Sequence, residues 1–221
     1  MSSDLFRHPK VFASDEEGIA KAVEVLSVGG VAILPADTVY GFFASAVQRE
    51  PVERVYRIKQ REKRKPFVIY TNEKKVRDIV EVNETAERLI ELVWPKALSL
   101  ILPKRDIIPD WFTNFQRTLA VMTAQNRIIS RVIAEVDEPI FGTTCNMSGE
   151  PELKKAEEVI RFIDQVDMMI ADDNIPIYNK PSTMVDCTVA PPKIARLSSL
   201  SYDELKEIIP DLEIDLGRRF A

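Results

Sequence analysis

Apolar and polar positions switch between two periods along this chain, and the switching lays out a mixed series of helices and strands. Ile19, Ala20, Ala22, Val23 and Leu26 recur at helical spacing behind Ser14-Asp15-Glu16-Glu17, which has the form of a capping box. Gly29-Gly30 stops that helix, and Val31-Ala32-Ile33-Leu34 is the continuous β-branched run of a buried strand. The run breaks at Pro35 and delivers Asp37, Thr38 and Tyr40 before Gly41. Read locally, that is a strand-to-helix turn with Asp37 or Thr38 as a cap. Read in an α/β sheet, it is the strand end at which ligands are gripped.

The pattern continues with a loop from Ala44 to Arg49. A helix follows from Pro51 through Val52, Val55, Tyr56 and Ile58 into the charged run Lys59–Lys65. Strands are expected at Pro66–Tyr70, Ala97–Leu102, Leu119–Met122, Pro139–Thr143, Met168–Ala171, Ser182–Thr188 and Lys193–Leu197. Helices are expected at about 73–80, at 83–93 behind Asn83, and over Arg127–Val136, Lys155–Val166 and 201–209. Strands and helices alternate without a repeat, and no Pro/Gly/Ser-rich linker divides them. The expectation is one α/β domain with a twisted, mixed parallel and antiparallel sheet flanked by helices. Residues 1–13 form an irregular lead-in, 14–200 the domain, and 201–221 a C-terminal helix and tail.

Composition narrows the chemistry. With 221 residues, 45% apolar and 29% charged, the chain has the make-up of an ordinary globular protein. Its formal net charge of -5 means that nucleic-acid binding would need a local basic patch. Two cysteines, Cys145 and Cys187, have no metal-ligand spacing, and no apolar run approaches the length of a membrane span. With a polar N-terminal segment, the expected setting is the cytoplasm, with no membrane partner. The single histidine, His8, lies in that segment, so a Ser/His/Asp or Cys/His nucleophilic site and a His-ligated metal are not expected. Seven glycines include neither a G-x-G-x-x-G nor a G-x-x-x-x-G-K-[ST] pattern. A bound nucleotide would therefore be held by side chains and hydroxyls.

Two further stretches carry candidate chemistry. Lys59–Lys65 sets five cations and one anion in seven residues between apolar Ile58 and the Pro66 strand. Such a run is most often a solvated helix end, but it can also grip phosphate. Gly142–Gly149 follows a strand with small, hydroxyl and amide residues, either a polar turn or a set of donors for an anion or base edge. Pro181-Ser182-Thr183 and Arg196 are a strand entrance and a strand-end cation.

Together these stretches resemble a family. Pro35-x-Asp37-Thr38-Val39-Tyr40-Gly41, Lys59-x-Arg61, Trp94-Pro95 with Leu98–Leu102, Thr144-x-Asn146-x-Ser148-Gly149, Ser182-Thr183-x-Val185-Asp186 and Lys193-Ile194-x-Arg196 stand in the order and spacing of the YrdC family of threonylcarbamoyl-AMP synthases. The resemblance covers roughly residues 15–197. It implies a YrdC-like fold and a reaction that joins L-threonine, bicarbonate and ATP, with Mg2+, to give threonylcarbamoyl-AMP and pyrophosphate. The adenylate feeds t6A modification of tRNA. By position, the resemblance puts Lys59 and Arg61 on the ATP phosphates and Thr118, Asn146 and Arg196 on the nucleotide. Thr38, Thr144 and Ser182 face the threonine or carbamate, while Asp37 and Tyr40 shape the pocket rather than react. Adenylyl transfer needs positioned cations and little acid–base machinery, which agrees with the missing histidine. No catalytic residue and no protein metal ligand is assigned.

The chain departs from the family pattern on the amino-acid side. Met122 stands where many members carry an arginine that contacts threonine, and Tyr70 stands for a histidine. Leu153-Lys154 replaces a Pro-Thr pair, and Pro35-Ala36 another. The substrate carboxylate would then need another cation, such as Lys154 or Arg127. The alternatives are a divergent paralogue that adenylates another small carboxylate, or an RNA-facing module. The latter would bind tRNA or double-stranded RNA at Lys59–Lys65; the downstream tRNA-modifying complex is a separate expected partner.

Overall fold

Eleven strands pair into one mixed sheet in the structure, a computed structural model that describes residues 4–62, 66–175 and 180–216. They are β1 (Val11–Phe12), β2 (Ala32–Pro35), β3 (Tyr40–Ser45), β4 (Val68–Tyr70), β5 (Leu98–Pro103), β6 (Thr118–Met122), β7 (Ile140–Thr144), β8 (Met168–Ile170), β9 (Thr183–Asp186), β10 (Lys193–Arg196) and β11 (Glu213–Ile214). Their spatial order is β1-β8-β2-β3-β7-β4-β6-β5-β9-β10-β11. Parallel and antiparallel pairings alternate through the centre: β2/β3, β3/β7 and β4/β7 run antiparallel, while β4/β6 and β5/β9 run parallel. The mixed sheet expected from the sequence is the one observed.

The helices are α1 (Glu16–Ser27), α2 (Arg49–Lys59), α3 (Val76–Ile79), α4 (Glu84–Val93), α5 (Arg127–Glu135), α6 (Ala156–Val159) and α7 (Tyr202–Ile208). Strand alternation divides the core by face. Phe42, Ile69, Val121 and Phe141 look to one side, where they pack with Val52 and Val55 of α2, Leu89 of α4 and Leu205 of α7. Phe67 stacks on Phe141 there with ring centroids 4.6 Å apart. On the other side, Leu34, Phe43 and Ile170 pack with Ile19 and Leu26 of α1 and Ile129 and Val132 of α5. α1 and α5 pack on each other and cover only part of that face. The rest of it, over β3, β7, β4 and β6, is open and forms the floor of a cavity.

Four local expectations change. The Pro35 break is not a strand-to-helix turn: β2 turns back into β3, with Leu34 opposite Gly41 and Pro35 opposite Tyr40. The aromatic Tyr40–Phe43 stretch hides its strand character because both faces of β3 are buried, so no polar alternation shows. Asp15, not Ser14, caps α1, accepting from the Gly18 amide, while the Ser14 hydroxyl goes to Asp172. The Lys155–Val166 helix is α6 followed by a 3₁₀ turn, Ile160–Gln165. The lead-in contributes β1, which pairs with β8.

Candidate active site

The cavity, about 280 Å³, collects residues from six separate parts of the chain. Thr38 comes from the β2–β3 turn, Arg61 follows α2, Tyr70 and Met122 end β4 and β6, and Thr144 ends β7. Pro181, Ser182 and Arg196 close one side, and Glu152 is the carboxylate among the lining residues.

Each polar side chain is set by a local rule of the backbone. The turn carrying Thr38 is fixed by Asp37, which is 4% exposed and turned away from the cavity. Its carboxylate accepts from the Gln125 amide at 2.6 Å, the Asn126 amide at 2.8 Å and Asn126 Nδ2 at 2.7 Å. Asn126 Oδ1 in turn accepts from the Ile129 amide and caps α5. Asp37 thus ties the hairpin turn to the N-terminus of α5. Tyr40 is spent in the same way: its hydroxyl accepts from the Asp172 amide at 2.8 Å and donates to Asp173 at 3.1 Å. Burial pushes its titration far above the usual tyrosine range.

α2 ends with Gln60 in the left-handed region, φ 48°, and the Arg61 amide reaches back to the Tyr56 carbonyl at 3.1 Å. That reversal throws the Arg61 side chain across the Phe67 ring, 5.3 Å from its centroid, at the cavity wall. Burial lowers its proton affinity without threatening its charge.

Lys59 sits differently from the expectation. It is 1% exposed and does not line the cavity. Its ammonium donates to the Thr144 carbonyl, to the Asn146 carbonyl at 2.9 Å and to Asn146 Oδ1 at 2.8 Å. A lysine has three N–H donors, so this set is full. The Lys59 carbonyl accepts from the Ser148 amide at 2.8 Å, and Asn146 Nδ2 donates to the Glu150 carbonyl at 2.7 Å. Lys59 and Asn146 therefore brace the 144–150 loop from behind, while Thr144 faces the cavity. Burial, with Arg61 nearby, pulls the Lys59 pKa down to about 8.

On the opposite side, Arg196 donates from Nε to the Ser182 carbonyl at 2.9 Å and from a terminal nitrogen to Ser182 Oγ at 3.0 Å. Ser182 Oγ lies 2.8 Å from Ser99 Oγ, and the Ser99 hydroxyl donates to the Met122 sulfur at 3.7 Å. Gly142 lies under the Phe43 and Tyr70 rings, which meet edge to face at 5.1 Å. A Cβ there would come within 2.5 Å of Tyr70 Cε2 and 2.7 Å of Phe43 Cε1, so the aromatic floor requires the absent side chain.

Five of the expected residues, Thr38, Arg61, Thr144, Ser182 and Arg196, thus line one cavity, and Lys59 and Asn146 stand behind it. Thr118 lies outside the lining, two alternations from Met122 on the same face of β6. Arg127 and Lys154, the replacement cations considered from the sequence, are not at the cavity. Arg127 pairs with Glu16 and the Ser14 carbonyl on the surface, and Lys154 is exposed. Of the basic run, positions 63–65 lie outside the described residues. Glu152, Phe43 and Val68 carried no flag in the sequence. The signal was present in the alternation running back from Thr144 to Gly142 along β7. Among the described residues, no group of three His, Cys, Asp or Glu is placed to hold a metal ion, and no helix is long and apolar enough to cross a membrane.

Comparison with known proteins fits this geometry. The Sua5/YciO/YrdC family model, described as "telomere recombination", matches residues 24–198. The chain belongs to the Sua5/YciO/YrdC family. Within it, a threonylcarbamoyl-AMP synthase of Pyrococcus abyssi is 29% identical over 203 residues, 90% of this chain and 59% of that protein. One from Pseudoalteromonas translucida is 29% identical over 178 residues, 78% of this chain and 95% of that protein. The crystal structure of Pyrococcus abyssi Sua5 complexed with L-threonine superposes with a TM-score of 0.84 at 27% identity, over 94% of this chain and 63% of that one. The chain spans about 60% of the length of the first curated Sua5-type relatives it matches.

Proposed function

We propose that this chain is a nucleotidyltransferase that makes threonylcarbamoyl-AMP from L-threonine, bicarbonate and ATP, releasing pyrophosphate in the cytoplasm as a step of tRNA t6A modification. The observation that carries the reading is one cavity with an arginine at each of two sides and hydroxyls between them, in a family whose curated relatives bear that enzyme's name. Residues 14–200 make up the catalytic domain.

The chemistry asks little of the protein beyond placement. Threonine carbamylated on its nitrogen is an anion. The carbamate forms when the free threonine amine joins bicarbonate with loss of water; one of its carbamate oxygens attacks the α-phosphorus of ATP, the bond from that phosphorus to the β-phosphate bridging oxygen breaks, and pyrophosphate leaves with the electron pair. No proton has to be taken by a side chain. The two anionic reactants must be held together against their mutual repulsion, in a site that shields them from water. Arg61, stacked on Phe67 and always charged, is placed to hold the triphosphate. Thr38, Thr144 and Ser182 offer hydroxyls to the carbamate and threonine, and Asn146 and Thr118 act on the nucleotide side. Lys59 serves the phosphates indirectly, through the loop it braces. Mg2+ generally binds through one or two carboxylates together with substrate phosphates, and Glu152 is the carboxylate here that fits such a role. The ion neutralises phosphate charge when bound.

The RNA-facing alternative draws no support from Lys59, whose ammonium is buried. Mass spectrometry of a reaction containing ATP, Mg2+, bicarbonate and L-threonine tests the proposal. An adduct with the mass of threonylcarbamoyl-AMP, absent when any one substrate is omitted and strongly reduced in Arg61→Ala, is expected. Turnover of ATP with no such adduct would overturn it.

A further inference from the structure

A second, smaller cavity of about 120 Å³ opens where the chain passes from β4 to α3, and its lining shares only Tyr70 with the first. Its wall is apolar, built from Ile79 of α3, Ile133 of α5 and the Pro139–Ile140 entrance to β7. Three carboxylates, Asp78, Asp137 and Glu138, line it against one cation, Lys75. That cation is already used. Lys75 donates to the carbonyls of Ile133 at 2.8 Å, Ala134 at 3.1 Å and Val136 at 2.8 Å, the orphan acceptors at the C-terminal end of α5. Glu138 accepts from the Ser45 hydroxyl and from Gln48. Asp78 and Asp137 are exposed at the rim, and their carboxylates have no ion pair or hydrogen bond among the described residues.

The deep end is marked by Thr71, which is 1% exposed. Its amide donates to the Met122 carbonyl at 2.8 Å, but its hydroxyl has no hydrogen-bond partner among the described residues. Buried hydroxyls are nearly always paired, so one left over inside a cavity asks for a ligand group.

We propose that this cavity binds a short alkylammonium ligand, with its ammonium between Asp78 and Asp137 and its carbon chain on the isoleucine wall. Three carboxylates against one ammonium leave the lining two charges negative, and the C-terminal end of α5 adds its own partial negative charge. Anions are therefore excluded. The apolar wall selects an organic cation over a metal ion, for which no acidic group converges among the described residues. The Thr71 hydroxyl can donate or accept, so an amino alcohol that reaches it is preferred to the plain amine. The volume corresponds to roughly four waters of liquid, which limits the ligand to a few heavy atoms. This site is separate from the substrates of the proposed synthase and does not rest on that reading.

Amide-resolved NMR titration of the whole chain tests the proposal. The probes are n-propylammonium, 3-amino-1-propanol and uncharged 1-propanol. Wild type should show saturable shifts at Thr71, Lys75 and Asp137 with both amines, at a dissociation constant of about 1 mM for ligands so small. Asp78→Asn combined with Asp137→Asn changes two exposed carboxylates and should weaken both amines roughly tenfold, while 1-propanol stays weak in either protein. Thr71→Val should leave n-propylammonium binding in place and remove the advantage of the amino alcohol. No saturable shift with either amine would overturn the proposal, as would equal binding of 1-propanol or undiminished amine binding in the double variant. Shifts centred on Thr38 and Arg61 instead of Thr71 would also overturn it, since they would place the amine in the first cavity. An amino alcohol that keeps its advantage in Thr71→Val would overturn the role given to that hydroxyl.

Discussion

Lys59 and Asn146 hold each other twice, with Lys59 Nζ donating to the Asn146 carbonyl at 2.9 Å and to its Oδ1 at 2.8 Å. Neither residue contributes lining to the cavity, yet the loop they brace carries Thr144 into it. A cation expected at a phosphate is instead a structural tie, and several consequences can be measured.

Replacing Lys59 with Met keeps the length of the stem and removes all three donors. The Thr144 carbonyl and both Asn146 oxygens are then left buried without them. A loss of about 2–3 kcal/mol of unfolding free energy in urea is expected, together with a higher KM for ATP as the loop loosens. A change in stability below roughly 0.5 kcal/mol would mean that the loop holds itself.

Activity should also depend on the charge of Lys59. Its pKa is pulled down to about 8, so the ammonium is intact below that pH and lost above it. The neutral amine has two N–H groups for three oxygens. The pH–rate profile should therefore show an alkaline limb near 8. In Lys59→Arg, whose guanidinium stays charged, that limb should move to higher pH or vanish. An unchanged limb in that variant would assign it to another group, the substrate amine included.

Gly142→Ala forces a methyl group to within 2.5 Å of Tyr70 Cε2, and the ring must tilt away. Overpacking of this kind typically costs about 1–3 kcal/mol. Because Tyr70 is the group displaced, the KM for the amino acid should rise while that for ATP changes little. Equal effects on both would show that the floor serves the two substrates alike.

Met122→Arg would restore the cation that many family members carry at this position. Here it would be placed beside Ser99, in the same network as Arg196. A second positive charge next to a seated guanidinium should not lower the KM for threonine. A clear gain in threonine use would mean that the Met122 end of the cavity lacks a cation for that carboxylate.

Much of this was legible in the sequence, and the exceptions have physical causes. Continuous apolar runs marked Val31–Leu34 and Leu98–Leu102, and Asn83 marked its helix because a side-chain oxygen there meets an orphan amide. β3 escaped because Phe42 and Phe43 are buried on opposite faces, which removes the period-two signal. Ordered motifs brought out Thr38, Arg61, Thr144, Ser182 and Arg196. Motif matching cannot tell a cation that faces a ligand from one whose donors are already used, which is why Lys59 was placed on phosphate. That distinction lives in the third dimension, in where α2 ends relative to β7. Arg196 reached the Met122 end through Ser99 and Ser182, residues far apart in the chain and joined only by the β5–β9 pairing.

The most direct test is pyrophosphate release from ATP with Mg2+ and bicarbonate, with and without L-threonine, in wild type and Arg61→Ala. The account predicts release that depends on threonine and bicarbonate, with the KM for ATP raised about 30-fold in the variant, the equivalent of roughly 2 kcal/mol from one charge-assisted contact. Release that ignores threonine, or an Arg61→Ala enzyme with wild-type ATP kinetics, would contradict it.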